Sequence, residues 1–116
     1  MKHELEFFDV SSLPWEAIEG SPGMEQKILT GDKTSADVTR LVRIKGGSDY
    51  HEPLVHDFWE EIWALEGEML DKRTGQTYTA GMYSCRPPGM VHGPFRFITD
   101  CLMFEVRYSD PHRRGA

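Results

Sequence analysis

Cysteine is scarce in this chain. Cys85 and Cys101 are its two thiols, sixteen positions apart in apolar-rich segments. That spacing matches neither a disulfide framework nor a Cys-x-x-Cys metal or redox motif. Both are expected to be reduced and partly buried. Long apolar runs are missing as well. Nowhere do about eighteen apolar residues follow one another, so no membrane-spanning helix is written in the sequence. The Met1–Glu6 segment also lacks the apolar stretch of a secretory signal, and the expected compartment is the cytoplasm. Basic residues are outnumbered, 13 Lys and Arg against 19 Asp and Glu, for a net charge of −6. A chain with this balance has no general attraction for phosphate backbones or anionic lipid, which argues against nucleic acid and membrane surfaces as partners. Helical periodicity is absent too, and there is no internal repeat or low-complexity tract.

What remains is β-rich. At 116 residues the chain has the length of one domain and leaves no room for a second core of comparable size. Residues 1–24 contain Leu13-Pro14-Trp15 and then the breakers Gly20-Ser21-Pro22-Gly23, which predicts an arm packed on the domain. From Glu25 to 109, short runs rich in β-branched and aromatic residues alternate with turn formers. The runs are Gln26–Thr30, Asp37–Ile44, Trp59–Leu65, Thr77–Thr79, Met82–Arg86, Phe95–Ile98 and Cys101–Tyr108. In the last of these, Leu102, Phe104, Val106 and Tyr108 share one face and Met103, Glu105 and Arg107 the other. The pattern predicts an all-β sandwich or barrel. Residues 110–116 have nothing apolar to bury and are expected to form a flexible tail.

Two segments carry chemistry. His56, Phe58, Glu60 and Ile62 share strand parity, so a histidine and a carboxylate four positions apart emerge on one face and can meet at one ion. Glu60 is followed seven positions later by Gly67. Downstream, Gly81 precedes Pro87-Pro88-Gly89-Met90-Val91-His92, where the Pro-Pro-Gly corner forces a turn and delivers His92 to the next strand.

Taken together these segments resemble the paired motifs of the cupin superfamily, G-x5-H-x-H-x3,4-E-x6-G and G-x5-P-x-G-x2-H-x3-N. The stretches Glu60–Glu68 and Arg86–Phe95 are most similar to the cupin domain of zinc-binding anti-sigma factors and to small relatives of acetylacetone dioxygenase. The resemblance implies a small cupin, a double-stranded β-helix or jelly-roll barrel, with one divalent metal ion held by His56, Glu60 and His92. Three departures stand out. Leu54 occupies the place of the first motif histidine, Arg96 that of the final asparagine, and Gly46-Gly47 lies early. His51 is the nearest replacement ligand, provided that Pro53 bends the chain enough to turn it inward. Without His51 the set is two histidines and one carboxylate, as in non-haem Fe(II) oxygenases, although Zn(II), Mn(II) and Ni(II) suit the same donors.

Around the metal, Phe58 and Ile62 are expected as an apolar wall and Arg96 as an inward clamp for a substrate carboxylate or enolate. The implied function is a metal-dependent enzyme acting on a small organic acid or dicarbonyl. With Fe(II) it would be a dioxygenase. With another metal it would be a lyase, decarboxylase or isomerase. The resemblance to anti-sigma factors leaves open a binding or sensing module without catalysis, and Leu54 leaves open a metal-free cupin. Trp15, Trp59 and Trp63 offer more aromatic surface than a small barrel holds, so a homodimer is expected.

Overall fold

The computed structural model describes residues 2–109; the tail expected at 110–116 lies outside them. After a 3-10 turn at Val10–Ser12, nine strands follow. They are β1 (Glu16–Ala17), β2 (Met24–Gly31), β3 (Val38–Ile44), β4 (Trp59–Glu66), β5 (Glu68–Asp71), β6 (Thr77–Thr79), β7 (Tyr83–Arg86), β8 (Phe95–Phe97) and β9 (Cys101–Tyr108). They form a six-stranded sheet in the order β1-β2-β3-β9-β4-β7 and a three-stranded sheet β6-β5-β8. Pairing is antiparallel throughout. No helix among the described residues is long and apolar enough to cross a membrane.

Two strands were not legible beforehand. β1 is the arm's contribution to the sheet edge, pairing Glu16 with Gln26 and Ala17 with Glu25, and Ile18 beyond it packs on the core. β5 is hidden because its inward pair is Met69 and Asp71, both buried. A buried aspartate breaks the apolar alternation that marks a strand. Its carboxylate is spent on the following turn, accepting from the backbone N–H groups of Arg73 (3.0 Å) and Thr74 (3.3 Å).

The strand register divides the interior. Towards one end, Val42 opposes Met103 and Ile44 opposes Cys101. With Met69, Phe95 and Phe97 these form the core, joined by Met24, Tyr50, Ile62 and Tyr78. Each fully buried aliphatic or phenyl group contributes about 1.5–3 kcal/mol. At the other end Val38, Arg107, Glu60 and Arg86 stand side by side across β3, β9, β4 and β7. Of the two faces of β9, the one bearing Met103, Glu105 and Arg107 turns inward, while Leu102, Phe104 and Val106 are half-buried on the outer side. The barrel therefore encloses charge at one end and hydrocarbon at the other.

Gly67 makes the sharp passage from β4 to β5 with φ 97°, and a Cβ there would sit 2.3 Å from the Asp100 carbonyl oxygen and 2.6 Å from Cys101 Sγ. Both the left-handed backbone and the backbone contact demand glycine. Gly67→Ala is expected to lower stability by about 2 kcal/mol or more, read as a shift in the urea midpoint; an unchanged midpoint would contradict this packing.

Candidate metal centre and its cavity

Glu60 enters the site from β4, where its inward position leaves it 2% exposed. His56 lies before that strand, its carbonyl held by the Gly89 N–H at 2.8 Å. That contact depends on the Pro87–Met90 turn, closed by Met90 N–H to Pro87 O at 3.2 Å with Gly89 at φ 84°. A proline followed by a left-handed glycine at the turn centre is the type II pattern. The chain then reaches His92, which exchanges backbone hydrogen bonds with Leu54 at 2.7 and 2.9 Å. His92 sits in an isolated bridge with Leu54, not on a strand of either sheet as the sequence suggests.

The three side chains bring one donor atom each within 4.8 Å of one another. Glu60 Oε2 lies 4.0 Å from His56 Nε2, and Oε1 lies 4.0 Å from His92 Nε2. The His92 Nδ1 faces the Met90 carbonyl at 3.2 Å. With the proton on Nδ1, the Nε2 lone pair is left pointing at Glu60. Both Nε2 atoms are buried and have no hydrogen-bond partner, a condition that costs about 1–3 kcal/mol each if nothing fills it. Two orphaned imidazole nitrogens opposite a carboxylate are the donor set a divalent transition metal takes. The residues present fit such an ion.

The other expected site residues are distributed differently. His51 is exposed and outside the group, although it lines the same cavity. The bend at Pro53 does not bring it in, because Leu54 is already committed to His92. Arg96 does not point inward. It is exposed between buried Phe95 and Phe97 on β8 and pairs with Leu70. Spacing misled here because Gly93, at φ 71°, and Pro94 interrupt the chain between His92 and β8, so the two residues share no strand. Phe58 backs the ligand without facing the cavity, its ring stacked on His56 at 4.6 Å. Ile62 does line the cavity. Cys85 is exposed, contrary to expectation, and Cys101 is buried.

Three inward cations, Arg86, Arg107 and Arg40, did not stand out in the sequence; Arg73 also lines the cavity, at an exposed position where it donates to the Val91 carbonyl at 3.0 Å. Arg107 Nε donates to Glu60 Oε2 at 2.7 Å and Arg86 Nη1 to Oε1 at 3.2 Å. Arg40 is spent one row deeper, giving Nε and Nη2 to Glu105 and Nη1 to Gln26. The parity of Arg107 with Met103 was available as a signal. The register that sets it and Arg86 beside Glu60 was not.

These neighbours decide protonation. Burial works to raise the Glu60 pKa, but Arg107 and Arg86 outweigh it and hold the carboxyl below its ordinary value. Burial lowers both His56 and His92, so each favours the neutral form that ligates. In chelator-treated protein the unfolded histidines take up protons before the folded ones do. Their contribution to stability is therefore complete above the ordinary value of 6.5 and is lost as pH falls through the depressed folded values. Glu60 extends the loss below 4.5. The melting temperature should fall progressively from about pH 7 to pH 4, and a flat profile would contradict this burial.

The site opens into a cavity of ≈ 1030 Å³. From the larger sheet Arg40, Glu60, Arg86, Glu105 and Arg107 line it beside Val42, Ile44, Ile62 and Met103, and from the smaller sheet Met69, Asp71, Tyr78, Phe95 and Phe97 line it. A few convergent polar groups in an otherwise apolar pocket are what a small-molecule site presents.

Comparison with known proteins agrees with this architecture. The family model of the ChrR cupin-like domain matches residues 3–109. An acetylacetone dioxygenase from Acinetobacter johnsonii superimposes with a TM-score of 0.72 at 17% identity, over 90% of this chain and 74% of that one. An RmlC-like cupin from Shewanella frigidimarina gives a TM-score of 0.73 at 18% identity over 95% of both chains. A chain of the Rhodobacter sphaeroides complex of SigE with the anti-sigma ChrR gives 0.65 at 22% identity. That match covers 86% of this chain and 52% of that one, so the present chain spans about half of it. No curated protein sequence matches significantly. At these identities the structural likeness establishes the cupin fold.

Proposed function

Because the chain belongs to the ChrR cupin-like domain family, we propose that it is a metal-dependent cupin enzyme that acts on a small oxygen-rich molecule, an organic acid or dicarbonyl. The observation that carries this reading is the pair of buried, partnerless Nε2 atoms of His56 and His92 facing one carboxylate in the cavity wall. His56, Glu60 and His92 would hold one divalent ion. When bound, it would supply Lewis acidity towards substrate oxygens and, if it is Fe(II), reactivity with dioxygen. The remaining work falls to side chains. The neutral imidazoles and the ionised Glu60 present lone pairs without first releasing a proton. Ile62, Phe95 and Phe97 exclude water from the substrate body. Arg86 and Arg107, not Arg96, offer cations to a substrate carboxylate.

Elemental analysis of protein purified without a histidine tag, followed by oxygen uptake with acetylacetone and simple keto acids, tests the reading. Iron with oxygen uptake supports a dioxygenase. Zinc, manganese or nickel with turnover but no uptake supports the lyase, decarboxylase or isomerase branch. The second reading is a metal- or ligand-binding sensor module, favoured by the ChrR family match; bound metal with ligand affinity and no turnover would select it.

For assembly we propose a homodimer through the outer face of the six-stranded sheet. Of the three tryptophans, Trp15 lies against Lys27 and Arg43, and Trp59 stacks on Tyr108. Trp63 is 52% exposed and Tyr83 59%. These two border a mostly apolar groove with Phe104 and Val106, which Glu61 also lines. An exposed aromatic beside a groove on one face suits a twofold copy of itself. Sedimentation should give a dimer for wild type and a monomer for Trp63→Asp; a monomeric wild type at micromolar concentration would refute it.

A further inference from the structure

We propose that Arg86 and Arg107 form a carboxylate-binding pair that competes with the metal ion for Glu60, so that metal and an anionic ligand bind the cavity with positive coupling. The inference rests on the metal reading above and concerns what these two residues do to it.

The two guanidinium groups converge on opposite oxygens of one carboxylate whose side chain is 3% exposed, while their own side chains are 12% and 22% exposed. Two half-sequestered cations thus share a single anion. The next carboxylate on the wall, Glu105, is already committed to Arg40. Neither guanidinium is loosely placed. Arg86 lies over the Phe95 ring at 5.4 Å and Arg107 over the Phe58 ring at 5.0 Å. Stacking of this kind fixes the plane of an arginine and leaves its edge for recognition. Each donates one N–H to Glu60, and both side chains line the cavity, where further donors meet whatever enters.

A divalent ion placed on Glu60 draws on the charge that the arginines also use. Both cations then face a dication across a short distance with their counter-ion partly withdrawn, a penalty paid in metal affinity. A carboxylate entering the cavity relieves that repulsion, accepting from the guanidinium edges while reaching towards the ion. By linkage, whatever the carboxylate adds to metal affinity the metal adds to carboxylate affinity. The ligand class follows from the apolar part of the cavity lining, where Met69, Phe95 and Phe97 favour a carboxylate attached to an apolar body.

This role has the opposite sign from that of a residue that merely holds a ligand in place. Loss of a supporting hydrogen bond weakens metal binding by roughly 10–100-fold. Loss of a competing cation strengthens it.

The test is zinc titration of chelator-treated protein by calorimetry, in low-chloride buffer, without and with saturating benzoate, a monocarboxylate that scarcely binds metal in solution. Wild type should bind zinc at least about fivefold more tightly with benzoate, and zinc-loaded protein should bind benzoate more tightly by the same factor. Arg86→Met and Arg107→Met, checked for fold by circular dichroism, should bind zinc alone more tightly than wild type and lose the benzoate effect. Arg96→Met, which faces away, should retain it. Equal zinc affinity with and without benzoate in wild type overturns the proposal whether or not the variants fold, as do arginine variants that bind zinc more weakly and keep the coupling. Absence of any zinc binding instead overturns the metal reading, and this proposal with it.

Discussion

His92→Ala is expected to strip the site of metal while leaving the barrel folded. His92 supplies one of three donors, its Nε2 is buried without a hydrogen bond, and its orientation is set by the Met90 carbonyl. Removing a donor outright should cost more than the roughly 10–100-fold that loss of a supporting partner costs. The fold, by contrast, rests on the Val42–Met103 end of the sheets, away from the charged row. The backbone exchange with Leu54 needs no imidazole. His56→Ala should behave alike. Metal per chain, measured after gel filtration, should fall to background for both, with melting temperatures in chelator close to that of wild type. Full metal in both variants would remove the ion from this site.

Glu60 is expected to behave differently, because it serves both affinity and stability. It is the carboxylate paired with Arg86 and Arg107, and all three are inside the barrel. Glu60→Gln keeps the shape but leaves two cations without their anion, and breaking a buried pair in this way costs about 3–5 kcal/mol. For a domain of this size that corresponds to a melting temperature lower by roughly 10–20 °C, together with loss of metal. Replacing Glu60, Arg86 and Arg107 together by methionine removes the unpaired charges and should recover much of the stability without the metal. A Glu60→Gln protein as stable as wild type in chelator would mean that the arginines are satisfied elsewhere.

How much of this could be read from the sequence depends on range. Cys101–Tyr108 was placed to the residue because strict alternation over eight positions leaves one assignment. His56, Glu60 and His92 are legible together through the resemblance of their segments to the paired cupin motifs, and the structure brings the three side chains within reach of one another. Their mutual approach, however, is made by the Leu54–His92 bridge, which spacing does not reveal. Arg96 was misplaced because counting by twos assumes an unbroken strand, and Gly93-Pro94 breaks it. Arg86 and Arg107 were missed because they reach Glu60 from two other strands, and cross-strand register is a long-range property. β5 was missed because one of its inward residues is a buried aspartate.

The most direct measurement is metal K-edge X-ray absorption on tag-free protein reconstituted with one equivalent of zinc. Zinc held by His56, Glu60 and His92 should show light-atom ligation by two imidazoles, together with carboxylate oxygen and solvent, lost in the His56→Ala and His92→Ala variants. Three imidazoles would bring His51 into the shell against its exposed position, a sulfur donor would place the ion at a cysteine, and a spectrum of hydrated zinc would mean that these side chains hold no metal.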